Sequence, residues 1–294
     1  MGKTLYLECN SGISGDMTVG ALIDLGADTK VLDAVLDTVE AEGFKIKYSR
    51  VKRSGLDCQD FDVILDEEHD GHDHDMEYLY GHTHSHDGEH GHNHDHHHDH
   101  HYHHENQESQ HHEEQHHQEH HHHHVHRGMK EITAIIDNAK MTDNARKIAK
   151  RIFEILAEAE SKAHGLPVEE VHFHEVGAVD SIVDVISIAV CIDNLGVDKV
   201  IVPKLYEGHG TVRCQHGILP VPVPAVTNIV TEHKISLEII DVKGELVTPT
   251  GAAAVAALRT DDKLPKEFKI EKVGMGSGKR DYGLAGFVRA MIIS

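Results

Sequence analysis

Several things are scarce in this 294-residue chain, and each scarcity removes a class of explanation. Only four cysteines occur, Cys9, Cys58, Cys191 and Cys214, widely separated and with no Cys-x-x-Cys pair. That argues against a disulfide scaffold and against a thiolate zinc site. Long apolar runs are lacking too. The longest, Ile182–Ile192, is interrupted by Asp184 and is too short to span a bilayer. Met1–Tyr6 holds one early lysine and then a strand-like run, which is not a secretory signal. Lys and Arg number 28 against 50 Asp and Glu, so the basic face that nucleic acid requires is missing. No internal repeat with a period of roughly 20 to 50 residues is visible. The expectation is a cytoplasmic protein with no nucleic-acid and no membrane partner. Its length suffices for one large or two modest domains.

What is abundant is histidine, and the abundance is local. Of 32 histidines, 26 fall between His69 and His126. The stretch from Asp66 to His126 also holds 16 acidic residues and no Lys or Arg; removing those 16 charges from the net of -22 leaves an ordinary -6. The pattern interleaves His with Asp, as in His92, His94 and His96 around Asn93 and Asp95, and closes on His121, His122, His123 and His124. Imidazole is a good ligand for nickel, zinc and copper, and carboxylates can complete the shell. With an ordinary pKa of about 6.5, most of these rings are neutral at pH 7 and able to coordinate. Almost no aliphatic residue lies between Asp66 and Val125, so the tract is expected to be disordered. It should collect divalent transition metals without selecting among them, and it has no fixed geometry for catalysis.

Around the tract, strand and helix patterns alternate. Strands are expected at Thr4–Leu7, Phe44–Val51, Phe61–Leu65, Lys199–Val202, Ile235–Ile240, Phe268–Val273 and Phe287–Ile293, with a further extended piece at Thr211–Cys214. Helices are expected from Asp16 to Leu25, Thr29 to Glu40, Met129 to Ala139, Thr142 to His164, Ser181 to Leu195, Pro222 or Pro224 to Val230, and Pro249 to Leu258. The fold class is α/β or α+β: a mixed sheet with packed helices, interrupted by the disordered His-rich insert. The expected organisation is an N-terminal α/β segment at 1–65, the metal-binding tract at 66–126, and the helical and α/β remainder of the same body at 127–294.

Three constellations could carry chemistry. In the first, His172, His174 and Glu175 precede Asp180 and Asp184, which sit at the start of an apolar helix. An extended segment points His172 and His174 to one side, so two imidazoles and up to three carboxylates could converge on one cation. Asp180 could equally be only an N-cap, and Asp184 only a complement to the helix N-terminus. The second is Ser11, Gly12, Ser14, Gly15 and Asp16, between a strand and a helix. Its amides and hydroxyls suit a phosphate or carboxylate, although it lacks the closing Gly-Lys-Ser/Thr of a Walker loop and could be a plain turn. The third is Thr248, Thr250 and Gly251, an anion site or a simple helix entry. Weaker candidates are the glycine-rich Gly274–Asp281, the loop histidines His209 and His216, and Cys9 as a soft ligand.

At these residues the sequence resembles a known family. Leu5–Leu7 followed by Ser11–Met17, Val171–Asp184, His216–Gly217 with Pro220–Pro222, and Thr248–Ala252 look like its signatures, four motifs in order between about Thr4 and Asp281. This is the LarC family of nickel-insertion proteins. The resemblance implies insertion of nickel into pyridinium-3,5-bisthiocarboxylic acid mononucleotide, forming nickel–carbon and nickel–sulfur bonds in a lyase-class, CTP-dependent reaction with a divalent cation, Mg or Mn. The product is the nickel-pincer nucleotide cofactor of lactate racemase, whose apoenzyme would be the downstream recipient. Read with that activity, the constellations above make His172, His174, Glu175 and Asp16 the expected catalytic residues. Nickel would fall to His172, His174, Glu175, Asp180 and Asp184, fed by the tract. Ser11, Gly12, Ser14, Gly15, Thr248, Thr250 and Gly251 would seat the precursor. Two departures stand out. Tyr282–Phe287 lacks the Pro-Asn-containing strand usual after Asp281. The chain also stops at Ser294, where relatives continue into a CTP-associated domain, so a separate C-terminal piece is an expected partner. A homo-oligomer is the expected state. The alternative is a nickel store or metallochaperone, or the non-catalytic half of a split insertase.

Overall fold

The computed structural model describes residues 2–41, 43–66, 79, 127–173 and 178–294. The expected disorder of the tract, with His92, His94, His96 and His121 to His124, therefore lies outside the described residues, as do His174 and Glu175. The chain enters through β1 (Lys3–Glu8), whose alternation buries Leu5 and Leu7 completely. Next come α1 (Gly15–Asp24), α2 (Thr29–Leu36) and a hairpin of β2 (Phe44–Arg53) and β3 (Leu56–Leu65). Ser54 and Gly55 turn the hairpin with positive φ at both positions, as a two-residue turn between twisted strands requires.

After the tract, β4 (Arg127–Gly128) pairs with β5 (His172–Phe173). Between them lie α3 (Met129–Asn138) and α4 (Asp143–His164). The Thr142 hydroxyl accepts from the Ala145 N–H at 3.1 Å to start α4, and a left-handed Gly165 ends it. Helix α5 (Val179–Leu195) is buried on nearly every side. It is followed by β6 (Val197–Ile201), β7 (Leu205–Cys214), β8 (Gly217–Val221), α6 (Pro224–Glu232), β9 (Leu237–Lys243), α7 (Pro249–Leu258), β10 (Ile270–Ser277) and β11 (Phe287–Ile293).

Six strands form one mixed sheet in the order β2-β3-β10-β11-β1-β6, parallel at β1/β6 and β3/β10 and antiparallel elsewhere. Segments from before and after the tract thus share a sheet. Helix α1 lies against β3, β10 and β11, and α5 packs on α1 and α4. A second sheet, β8-β7-β9, stands apart from the first. Among the described residues, no helix is long and apolar enough to cross a membrane.

The α/β expectation holds, with local differences. The stretch Gly274–Ser277 is not a turn but the second half of β10. Its glycines serve close packing: a Cβ on Gly276 would stand 1.9 Å from the Met17 carbonyl of α1. Helix α2 stops at Leu36, short of Glu40. His209 lies within β7, and His216 in the tight turn to β8, a strand the sequence did not disclose. Leu79 is buried within the stretch expected to be featureless.

Candidate functional site

Three chain segments meet where α1, α5 and α7 begin. Ser14 is the N-cap of α1, with Gly15 and Asp16 in its first turn. The Ser14 hydroxyl hydrogen-bonds the Asp16 carboxylate, and the Thr18 hydroxyl donates to the Ser14 carbonyl at 2.7 Å. This turn is laced to the loop before α7: Ile13 N–H donates to the Leu246 carbonyl (2.9 Å) and Thr248 N–H to the Ile13 carbonyl (3.0 Å). Thr248 caps α7, its hydroxyl accepting from the Gly251 N–H at 3.2 Å. A Cβ on Gly251 would stand 2.3 Å from the Ile13 carbonyl, so this glycine lets the two loops touch.

Helix α5 supplies the acids. Its N-cap is Ala178, so Asp180 does not cap the helix but stands in its first turn, and Asp184 follows one turn on. Asp184 is half-buried, with its Oδ1 shut off from solvent. Burial first, then the neighbouring Asp16 and Asp180, push its carboxyl well above the usual carboxylate range; Lys279 and the Asp16 backbone N–H pull the other way. Asp184 Oδ1 is buried with no hydrogen-bond donor among the described residues. Such an atom is costly unless something outside the fold satisfies it. A Cβ on Gly15 would meet the same carboxylate at 2.3 Å, so glycine is what admits Asp184 to the α1 turn. Lys279 closes the group. Burial would lower its pKa, but Asp16, Asp62 and Asp184 outweigh burial and raise it; its Nζ lies 2.6 Å from Asp62.

These groups face a cavity of about 270 Å³, near the lower end of the size range of small-molecule sites. One side is the acid wall of Asp16, Asp180 and Asp184 with Ser14 and Gly15. The same cavity is also lined by Glu160 and His164 of α4 and by Cys214 and His216 at the β7–β8 turn. The His164 and His216 rings are 4.9 Å apart between centroids, His164 Nε2 is 3.4 Å from Glu160 Oε2, and Cys214 Sγ is 4.0 Å from His216 Nδ1. Burial raises the Glu160 carboxyl, opposed by His164, and burial with His164 lowers the His216 ring. Thr248, Thr250 and Arg280 also line the cavity. Arg280 pairs with the nearly buried Glu245 at 2.6 Å. Buried Leu79 lines it as well.

Beneath the Leu246–Thr248 loop lies a group the sequence did not single out. Glu207 is fully buried, and its Oε1 accepts from the N–H groups of Gly208 (2.8 Å), Leu246 (2.7 Å) and Val247 (3.2 Å). Burial pushes its carboxyl up to about 7, against those three donors.

The structure therefore gathers Ser14, Gly15, Asp16, Asp180, Asp184, Thr248 and Thr250 around one cavity. Ser11 lines an adjoining one of about 70 Å³, and Gly12 packs on the Leu246 carbonyl behind it. His172 is exposed on the β4–β5 pair and is not in the cavity lining. His209 is paired with Asp241 at 3.2 Å, away from the cavity. Cys9 is buried, which pushes its thiol up to about 12, and it is not in the cavity lining. Among the described residues, no group of three or more His, Cys, Asp or Glu side chains is placed to hold a metal ion.

A profile of the nickel insertion protein family matches residues 5–294. This chain belongs to that family. It is 47% identical over 293 residues, all of this chain and 61% of the relative, to the pyridinium-3,5-bisthiocarboxylic acid mononucleotide nickel insertion protein of Alkaliphilus metalliredigens. It is 39% identical to the protein of the same name from Clostridium acetobutylicum, covering 99% of this chain and 64% of the relative. For the Acetivibrio thermocellus protein of that name the identity is 34%, covering 99% and 60%. The chain thus spans about 60% of the length of these relatives. No solved structure matches. Membership in the nickel insertion protein family agrees with the resemblance carried by Ser11–Met17, Val171–Asp184 and Thr248–Ala252.

Proposed function

We propose that this chain carries the substrate cavity of a nickel insertase acting on pyridinium-3,5-bisthiocarboxylic acid mononucleotide. The observation that carries the reading is the Asp184 carboxylate, one buried oxygen without a donor, held against Asp16 in a cavity whose rim holds Arg280 and the α7 N-terminus. The charges divide as the ligand's would. The pyridinium ring is cationic and seats beside Asp16 and Asp184; the phosphate is anionic and seats toward Arg280 and the Thr248–Gly251 amides. The lacing of the Ser11–Asp16 turn to the Thr248 loop fixes the two ends relative to each other.

Forming a nickel–carbon bond at a ring carbon displaces a proton, and the two thiocarboxylate sulfurs bind the same ion. The ring carbon–hydrogen bond breaks, its electron pair goes to nickel, and the proton goes to a base. Asp184, ionised when the cationic ring is bound and with raised proton affinity, is that base; Asp16 holds it through the backbone N–H. Nickel arrives as a substrate from the tract between His69 and His126, passing Leu79 at the cavity wall. His174 and Glu175, just before α5, are further candidates for its passage. We assign the reaction to the cytoplasm, where all four cysteines stay reduced. CTP with Mg or Mn, a separate C-terminal piece, and delivery to a lactate racemase-type apoenzyme complete the proposal, as does the organisation into 1–65, 66–126 and 127–294.

The test is an insertion assay with the chain, the precursor, nickel, CTP and Mg, with and without the C-terminal portion of a relative. Product that depends on Asp184 supports the reading; no product under either condition rejects it. The tract itself favours a second reading, a nickel store. Deleting His69–His126 separates the two. An insertase keeps turning over at high free nickel, whereas a store loses its capacity outright.

A further inference from the structure

The acid wall has a base and a place for a cation, but hard carboxylates are poor partners for a borderline metal that must end bound to carbon and sulfur. The same lining also holds a softer set. We propose that His164, His216 and Cys214, with Glu160 behind His164, form a landing site for nickel inside the substrate cavity. This deepens the insertase reading and takes from it only the identity of the metal.

Geometry supports one shared ion. With metal–imidazole bonds of about 2.1 Å, two rings held cis to one metal have centroids roughly 5 Å apart. The observed separation is 4.9 Å, with the planes inclined at 41°. Cys214 Sγ stands 4.0 Å from His216 Nδ1; sulfur and nitrogen on a common tetrahedral ion are roughly 3.6 Å apart. A small rotation of a half-exposed side chain in a turn covers the difference. Glu160, one helical turn before His164 on α4, faces His164 Nε2 at 3.4 Å. When Nε2 carries the proton shared with Glu160, the ligating lone pair is on Nδ1. That is the usual way a carboxylate orients a metal-binding imidazole.

The set is built for passage rather than storage. As the side chains stand, no three His, Cys, Asp or Glu among the described residues are placed to hold one ion, so binding requires the side-chain rotation, and two imidazoles and one thiolate would then leave coordination positions open. The Cys214 thiol releases its proton to solvent on binding, and the imidazoles bind as neutral rings. The open positions face the same cavity as the acid wall, so the two thiocarboxylate sulfurs of the precursor can replace protein ligands one at a time. Soft ligands on both donor and acceptor keep each exchange between similar partners.

The tract would ordinarily mask such a site, because its many histidines bind nickel too. It contains no cysteine, however, so sulfur-to-metal charge-transfer absorption cannot arise from it. The test is to titrate the whole chain with nickel alone, and separately with cobalt alone, while following the near-ultraviolet charge-transfer band. A band of about one equivalent, abolished in Cys214→Ser and requiring at least tenfold more metal in His164→Asn/His216→Asn, is the expected result. No band at excess metal overturns the site, as does a band undiminished in Cys214→Ser, which would place the sulfur at Cys9, Cys58 or Cys191. Because Cys214 and both histidines are at least partly exposed, these variants are expected to fold, and unchanged circular dichroism checks that; Cys214→Ala provides a second thiol-free variant. The experiment uses no precursor, so its failure is separable from that of the insertase reading. Insertion without the band sinks the landing site alone, and the band without insertion sinks the enzyme alone.

Discussion

The cavity has two unlike walls, and their difference explains how one site handles a metal and a cationic ring together. The wall from α1 and α5 is rich in carboxylates, with Asp16 buried, and is held by the close approaches of Gly15 to the Asp184 side chain and of Gly251 to the Ile13 carbonyl. The wall from α4 and the β7–β8 turn offers imidazole and thiol, is partly exposed, and stands on a helix end and a hairpin tip. Proton transfer needs a base fixed to within a fraction of an ångström. Metal exchange needs ligands that can let go. Rigidity and looseness are therefore distributed according to task.

The largest expected effect comes from breaking the acid wall. Asp184→Asn removes the base while keeping the shape, and nickel insertion should fall about 100- to 10,000-fold, with charge-transfer absorption at Cys214 unchanged. A rate within a factor of two of the parent would remove Asp184 from the chemistry. Next is the rim. Arg280→Ala removes the 2.6 Å ion pair of the buried Glu245 and should cost about 3 kcal/mol or more in denaturant unfolding. A cost below about 1 kcal/mol would mean that water reaches Glu245 freely.

Glu207 sharpens the comparison through pH. Its carboxyl has a pKa of about 7 in the fold against 4.5 ordinarily, so the folded state holds its proton more tightly. The resulting stabilisation is fully present below pH 4.5 and is lost as pH rises to 7, amounting to at most about 3 kcal/mol. Glu207→Gln keeps an oxygen for the three amides and cannot titrate. The stability difference between parent and variant should therefore slope between those pH values and flatten above them. A flat difference throughout would show that the amide donors hold Glu207 ionised. Smaller again is Gly15→Ala, which drives a methyl into Asp184 and should cost about 1 to 3 kcal/mol of stability. Least of all is His172→Ala. His172 is exposed and outside the cavity, so unfolding should change by under about 0.5 kcal/mol; a large loss of insertion would bring it back to the site.

The acid wall was legible in sequence because its residues are close in the chain and end-of-helix chemistry is local. Ser14, Gly15 and Asp16 open one helix, Asp180 and Asp184 another, and Thr248 caps a third. Helix α5 and strand β11 were legible from apolar pattern alone. The soft wall was not. Glu160 and His164 read as the polar end of an amphipathic helix, and Cys214 and His216 as loop residues. Only the pairing of β7 with β8 brings the turn to α4. His216 was visible as a loop candidate and within the His216–Gly217 signature, but for Glu160, His164 and Cys214 the i,i+4 and i,i+2 spacings were the signals, and both are common on exposed surfaces. Strand β8 was hidden because Pro220 and Gly217 read as breakers, whereas in the edge strand of the three-stranded sheet they are tolerated. Gly274–Ser277 misled in the opposite sense: glycines chosen for contact with α1 look like a loop. Glu207 gave no warning, since a lone glutamate in a strand is usually solvated.

The central claim is that the walls do separate jobs, and one measurement addresses it most directly. Insertion rate should be followed against nickel concentration for the parent, Asp184→Asn and His164→Asn/His216→Asn side by side. The account predicts that Asp184→Asn lowers the rate by a similar factor at every nickel concentration, while the histidine pair variant loses most at limiting nickel and recovers as nickel is raised. If both variants alter the same parameter, or if nickel cannot restore the histidine variant, the division between the walls is contradicted.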